Sequence, residues 1–282
     1  MGNAALAFGP WLVRLADTGA VAAGFWRLAL AVPFLWLVAM LVGQPVRMPR
    51  RAVTVAVAFA ALFFAADLAA WHAGIRLTKL GNATLFGNFA SFAFATWGLW
   101  LARRGPTLIQ AAALGLAALG CVLLMGGSYD LSPRYFRGDL LALGAGLLYA
   151  GYLILVERTR SSLKPLPLLV LASSFGAMLL LPLSLALGEQ LFPTDWTVPL
   201  LLALGSQVIG QGLLVYAIGH VPPLVVGLAL LTQPAISAVI GWLAYDETLA
   251  PLDWVGALAI AVALVLVRLP SRGLRSAAAQ PS

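Results

Sequence analysis

Charge is what this sequence has least of. Only 10% of its 282 residues are Asp, Glu, Lys or Arg, against about 25% in an ordinary water-soluble domain. A soluble enzyme or scaffold needs a polar surface that this chain cannot supply. Cysteine is nearly missing as well. Cys121 stands alone, which excludes an intrachain disulfide and any cysteine-based metal cluster. With His72 and His220 as the two histidines, no metal site is expected, and nothing in the chain calls for a cofactor. The pattern G-x-x-x-x-G-K-[ST] does not occur, so no P-loop is present to hydrolyse ATP. Catalytic constellations such as paired aspartates or Ser–His sets are absent too, and an enzyme is not expected.

Hydrophobic residues fill the space that charge leaves. They make up 62% of the chain, and the mean hydropathy is +0.96. A hydrocarbon core about 30 Å thick takes about 20 apolar residues per helix. On that scale the sequence divides into ten spans, at about 4–16, 19–43, 53–77, 80–102, 106–126, 140–158, 166–187, 197–219, 224–245 and 251–269. The first is short, and whether it is clipped at its N-terminus stays open. It lacks the basic region and cleavage site of a signal peptide. Barrel strands would alternate apolar with polar residues, and these runs do not. The expected fold is therefore an all-α polytopic membrane protein.

The net charge of +7 and a pI near 10.2 do not point to nucleic acid, because the cations sit where a membrane protein puts them. With a cytoplasmic N-terminus, the inner loops and tail carry Arg47, Arg50, Arg51, Arg103, Arg104, Arg158, Arg160, Lys164, Arg268, Arg272 and Arg275. The outer side carries only Arg14, Arg76, Lys79, Arg134 and Arg137. This satisfies the positive-inside rule and puts both termini in the cytoplasm.

Sliding the chain by 144 residues lays segment 73–123 on 217–267 without a gap. Ala73 meets Ala217, Leu80 meets Leu224, and Ala113, Leu114 and Ala117 meet Ala257, Leu258 and Ala261. The breaks coincide too: RRGP (103–106) falls on ETLA just before Pro251. Five spans per half is an odd number, so the second copy enters the bilayer from the opposite side. Inverted repeats of this kind let secondary transporters alternate access to a midplane site. The expected units are 1–126, a connecting loop 127–139, a second repeat 140–269 and a cytoplasmic tail 270–282.

The segments AVAAGFWRLALAVPFLWLVA (20–39) and AIGHVPPLVVGLALLTQPAISAVIGWLAYDETLAPLDWVGALAIAVALVLV (217–267) carry a family likeness. The second has a proline in its ninth span, an acidic DE closing that span and glycine in the last. With these features the chain resembles the EamA-type double repeats of the drug/metabolite transporter superfamily, and within it most resembles the bacterial exporters of aromatic amino acids. Ala90 stands in the first half where Pro234 stands in the second, which departs from strict symmetry. The resemblance implies a secondary transporter in the bacterial inner membrane that exports small organic solutes, amino acids first, as a monomer. Carriers of organic cations or sugar phosphates, and a channel-like facilitator, are the alternatives. Sugar phosphates would call for several buried cations, and only Arg27 is deep. Proton coupling stays open, because the first span has no acid, unlike the small multidrug pumps of the same superfamily.

Within the spans, Arg27 and Asp67 are the two charges expected near mid-membrane. A charge there costs about 2.5–3.5 kcal/mol on insertion scales. The two are expected to pair, or to share a wet pocket, in a structural or coupling role. Polar and aromatic residues on the apolar faces are candidates for the solute site: Trp71, His72, Asn88, Tyr149, Tyr152, Gln207, Gln211, Tyr216 and Gln233. Intramembrane amides face other helices or water, and aromatic rings offer stacking surface. Pro234 is expected to kink the ninth span and shape the site.

Overall fold

Residues with few backbone partners in lipid must satisfy their N–H and C=O groups internally, so helices dominate. The computed structural model describes residues 2–90, 93, 97, 106–218, 220, 232–247 and 250–266, and contains no strand among them. The helices are α1 (Gly2–Ala7), α2 (Gly9–Leu15), α3 (Ala20–Leu41), α4 (Arg51–Leu77), α5 (Leu80–Gly87), α6 (Leu108–Leu131), α7 (Pro133–Arg160) and α8 (Pro165–Ala186). They are followed by α9 (Thr197–Leu201), a π-helical stretch Leu202–Gln211, α10 (Gly212–Ile218), α11 (Thr232–Tyr245) and α12 (Pro251–Leu266). Among the described residues, five runs are long and apolar enough to cross a membrane: α3, α4, α7, α8 and the continuous stretch Thr197–Ala217.

The chain is apolar outside as well as inside. Trp36, Met40, Phe59, Val122, Met178, Trp242 and Leu258 are all exposed, as a lipid-facing belt requires. The polar groups Arg27, Asp67, His72, Asn82, Asp139, Ser173 and Gln207 are buried. One apolar core joins Leu28, Phe64, Leu68, Tyr152, Leu168 and Leu180 from α3, α4, α7 and α8. A second joins Leu12, Ile75, Leu80, Phe86, Ala113 and Ile260.

Helix α3 packs on α8, α5 on α11 and α6 on α12, while α4 runs along α7. Close approach depends on glycine at a few crossings. A Cβ at Gly146 of α7 would lie 2.7 Å from the Phe86 carbonyl and 2.9 Å from that of Gly87. At Gly120 of α6 it would lie 2.6 Å from the Gly256 carbonyl of α12.

Two expectations are corrected. Segment 127–139 is not a loop: α6 continues to Leu131 and α7 begins at Pro133. Ser132 caps α7, its hydroxyl accepting the Tyr135 N–H at 3.3 Å, and Pro133 occupies the first turn. Serine before proline is a strong helix start, and it outweighs the polar composition. Asp139, expected on the outer surface, is fully buried in α7 and accepts the Thr78 hydroxyl at 2.5 Å. Several spans are also less regular than expected. The first breaks at Phe8 between α1 and α2. The fourth breaks at Asn88–Phe89, where Phe89 N–H bonds to the Phe86 carbonyl at 3.0 Å, a tightened turn.

The glycine contacts give a direct test. Gly146→Ala should destabilise the protein by about 1–3 kcal/mol, because the methyl meets backbone that cannot move aside. Gly144→Ala, on the same helix with nothing within 4 Å, should be neutral or slightly stabilising. Thermal unfolding in detergent measures both.

Candidate functional site

Where α1, α3, α4, α5 and α7 meet the π-helical stretch and α11, the helices leave a cavity of about 70 Å³. One water needs about 10–15 Å³ on the same measure, so the space holds a small cluster of waters or the polar head of a solute. Arg27 and Asp67 both line it, together with Phe64, Trp71 and Tyr149 as aromatic walls. Thr84, Asn88, Gln211 and Gln233 supply uncharged hydrogen-bonding groups, and Leu6 and Leu68 supply apolar surface.

Thr84 and Asn88 are held within their own segment, and the other polar side chains are held across elements. Asn88 sits where α5 ends, and its amide Nδ2 donates to the Thr84 carbonyl at 2.8 Å. The Thr84 hydroxyl donates to the Leu80 carbonyl at 2.9 Å. Tyr149 and Gln211 face each other across α7 and the π-helical stretch. The phenol oxygen lies 3.2 Å from Gln211 Oε1 and 3.1 Å from Nε2, close to both ends of the amide. Trp71 Nε1 donates to the Ala83 carbonyl at 3.4 Å. Its ring lies against Gly87, where a Cβ would approach Nε1 to 3.1 Å. Arg27 is buried at 3% exposure, and its Nε donates to Gln207 Oε1 at 3.3 Å. Gln207 Nε2 in turn donates to the Ser173 hydroxyl at 3.0 Å. No ion pair within 4.0 Å joins Arg27 to Asp67. They share a cavity without touching.

Of the residues singled out from sequence, Arg27, Asp67, Trp71, Asn88, Tyr149, Gln211 and Gln233 meet in this cavity. Four others do not. His72 is fully buried against α3, with Nδ1 3.1 Å from the Ala20 carbonyl. Five residues beyond Asp67, it lies about 140° around an α-helix. Gln207 is fully enclosed one layer behind Arg27 and positions it. Tyr152 stacks on Phe64, with ring centroids 4.6 Å apart and planes at 17°, behind the cavity wall. Tyr216 is 52% exposed and stacks on His220. It is five residues past Gln211 and so faces away by the same geometry. Pro234 is the third residue of α11, and the part of the ninth span before Thr232, on which the expected kink depends, lies outside the described residues. Phe64 and Thr84 were missed, although each had a signal: Phe64 is three residues before Asp67 and Thr84 four before Asn88, on the same helix faces.

One end of the bundle is tied shut by polar contacts that cross between helices. Arg14 of α2 pairs with Glu247, donates to the Thr78 carbonyl, reaches the Ile75 carbonyl at 3.0 Å, and lies 4.8 Å from the centre of the Tyr245 ring. Glu247 also accepts the Leu80 N–H at the start of α5, at 2.7 Å. Arg76 donates to the carbonyls of Val13, Ala16 and Thr18. Glu189 accepts the N–H groups of Val21 and Ala22 at the start of α3. Asp17 accepts the Thr194 hydroxyl and N–H, which hold its carboxyl below the ordinary value. That contribution is present above about pH 4 and is lost only as pH falls through the lowered value.

This is the architecture of an α-helical integral membrane protein with a charge-bearing internal cavity. Residues 136–269 match the EamA-like transporter family. That part of the chain is similar to a family of transporters, which is consistent with the drug/metabolite transporter superfamily. A solved crystal structure superposes with a TM-score of 0.69 over 95% of this chain and 94% of that one, at 13% sequence identity. At that identity the likeness speaks for the fold alone. No curated protein is significantly similar in sequence.

The tied end predicts an order of effects. Arg14→Gln should lower the melting temperature more than Glu247→Gln, because it strands two carbonyls as well as a carboxylate. Each loss should be about 1–3 kcal/mol. A double-mutant cycle on thermal unfolding should show the two coupled.

Proposed function

We propose that the protein is a secondary carrier that exports amino acids, aromatic or other neutral ones, across the bacterial inner membrane by alternating access. The observation that carries this reading is a cavity lined from both halves of the chain. Arg27, Asp67 and Asn88 come from the first half, Tyr149, Gln211 and Gln233 from the second. A site shared by two repeats can be exposed to one side or the other by rocking one against the other.

Further support comes from helix pairing. Counting the spans from sequence, α3 on α8, α5 on α11 and α6 on α12 are all contacts between span n and span n + 5. A twofold axis in the membrane plane that relates the two repeats would set each of these spans against its own counterpart. In this reading there are ten spans with both termini cytoplasmic, and the end tied by Arg14, Arg76, Glu189 and Glu247 is the outer one. The solute site then faces away from the exterior. Protons are the candidate coupling ion, with Asp67 as the carboxylate that could bind one.

Two measurements test it. With Cys121 replaced, single cysteines at positions 130 and 192 should both react with impermeant reagents from the periplasmic side. Proteoliposomes loaded with a panel of labelled amino acids should release a subset saturably and show counterflow, which a channel would not. A dependence of the rate on an imposed pH gradient would identify protons as the coupling ion.

A further inference from the structure

Arg27 and Asp67 raise a question that the carrier reading alone leaves unanswered. Opposite charges buried together in a membrane protein normally close on each other, since each is costly alone. Here both are at least nine-tenths buried, at 3% and 7% exposure, and both face one cavity. Yet no contact within 4.0 Å joins them. Among the described residues, Arg27 spends only its Nε on the protein, in the bond to Gln207. Asp67 accepts no hydrogen bond from the described residues. Its oxygens are not among the sealed, unpartnered polar atoms, so the carboxylate opens on the cavity. The Gln207–Ser173 chain holds the guanidinium from behind. That leaves its outer nitrogens, the pair that forms bidentate bonds to a carboxylate, without a protein acceptor.

The ligand that completes such a site carries both charges on neighbouring groups and is neutral overall. We propose that Arg27 and Asp67 are the two halves of a zwitterion clamp, Arg27 taking the carboxylate of an α-amino acid and Asp67 its ammonium group. Phe64, Trp71 and Tyr149 then form the wall along which the side chain lies. This rests on the amino acid export reading and assigns the residues that hold the two charged groups of its substrate. An organic cation would satisfy Asp67 but leave Arg27 buried beside a second positive charge. An organic phosphate would satisfy Arg27 and be repelled by Asp67. Only the molecule with both ends neutralises the pair.

Efflux from proteoliposomes of the full-length protein tests the clamp. The best-transported L-amino acid is compared with its decarboxylated amine and its deaminated acid; for phenylalanine these are phenethylamine and 3-phenylpropanoate. The wild type should move the amino acid at least about tenfold faster than either analogue, since a buried charge left unpaired discriminates strongly. Arg27→Gln should narrow the gap to the amine, and Asp67→Asn the gap to the acid, each selectively. The wild-type comparison needs no variant, so poor folding of either mutant does not blunt the test. If amino acids move but an analogue moves equally well, the clamp is overturned and the carrier reading stands. If solutes move but no amino acid does, or nothing moves at all, the amino acid export reading falls, and the clamp with it.

Discussion

The dominant constraint on this molecule is the cost of an unsatisfied polar group where no water is available. It explains the regular helices, which close every backbone bond within themselves, and it explains where regularity stops. The break at Asn88 borders the cavity, as does the π-helical stretch that ends at Gln211, and Leu6 precedes the break at Phe8. Irregular backbone in a bilayer is tolerated where it lines a cavity or is enclosed by protein. Some buried side chains outside the cavity, and the inner edge of Arg27, follow the same rule. Asp139 takes the Thr78 hydroxyl, and Arg27 takes Gln207. The polar groups thus mark the interior, while Trp36, Met178 and Trp242 cover the outside.

The glycine crossings and the tied end are built differently. Gly146 against Phe86 and Gly87, and Gly120 against Gly256, bring backbones together with no side chain between them. The tied end relies instead on Arg14, Arg76 and Glu189 meeting carbonyls and N–H groups at helix termini. There the orphan groups and the helix dipoles supply the partners. These bonds are directional and come apart as a set.

Much of the site could be read from the sequence, because a lone charge or amide inside an apolar run is conspicuous. Arg27, Asp67, Asn88, Gln211 and Gln233 stood out for that reason and do line the cavity. What the sequence does not carry is depth. Helical spacing tells which face a residue occupies, not how many layers of side chain stand between it and a cavity. Gln207 and Tyr152 therefore look like lining residues and lie one layer back. His72 and Tyr216 were out of phase with their neighbours, so spacing alone argued against them. The start of α7 was misread for the opposite reason: a polar stretch with four charges, Asp130, Arg134, Arg137 and Asp139, resembles a loop until its Ser–Pro start is weighed. The partners of Arg14 lie 61 to 233 residues away, beyond any local pattern.

The π-helical stretch Leu202–Gln211 has a mechanical consequence. A π-helical turn is an uncommon winding, frequent at functional sites. Here it sets Gln207 behind Arg27 and Gln211 beside Tyr149, so a change in its winding would displace the Arg27 support and the Tyr149 partner together.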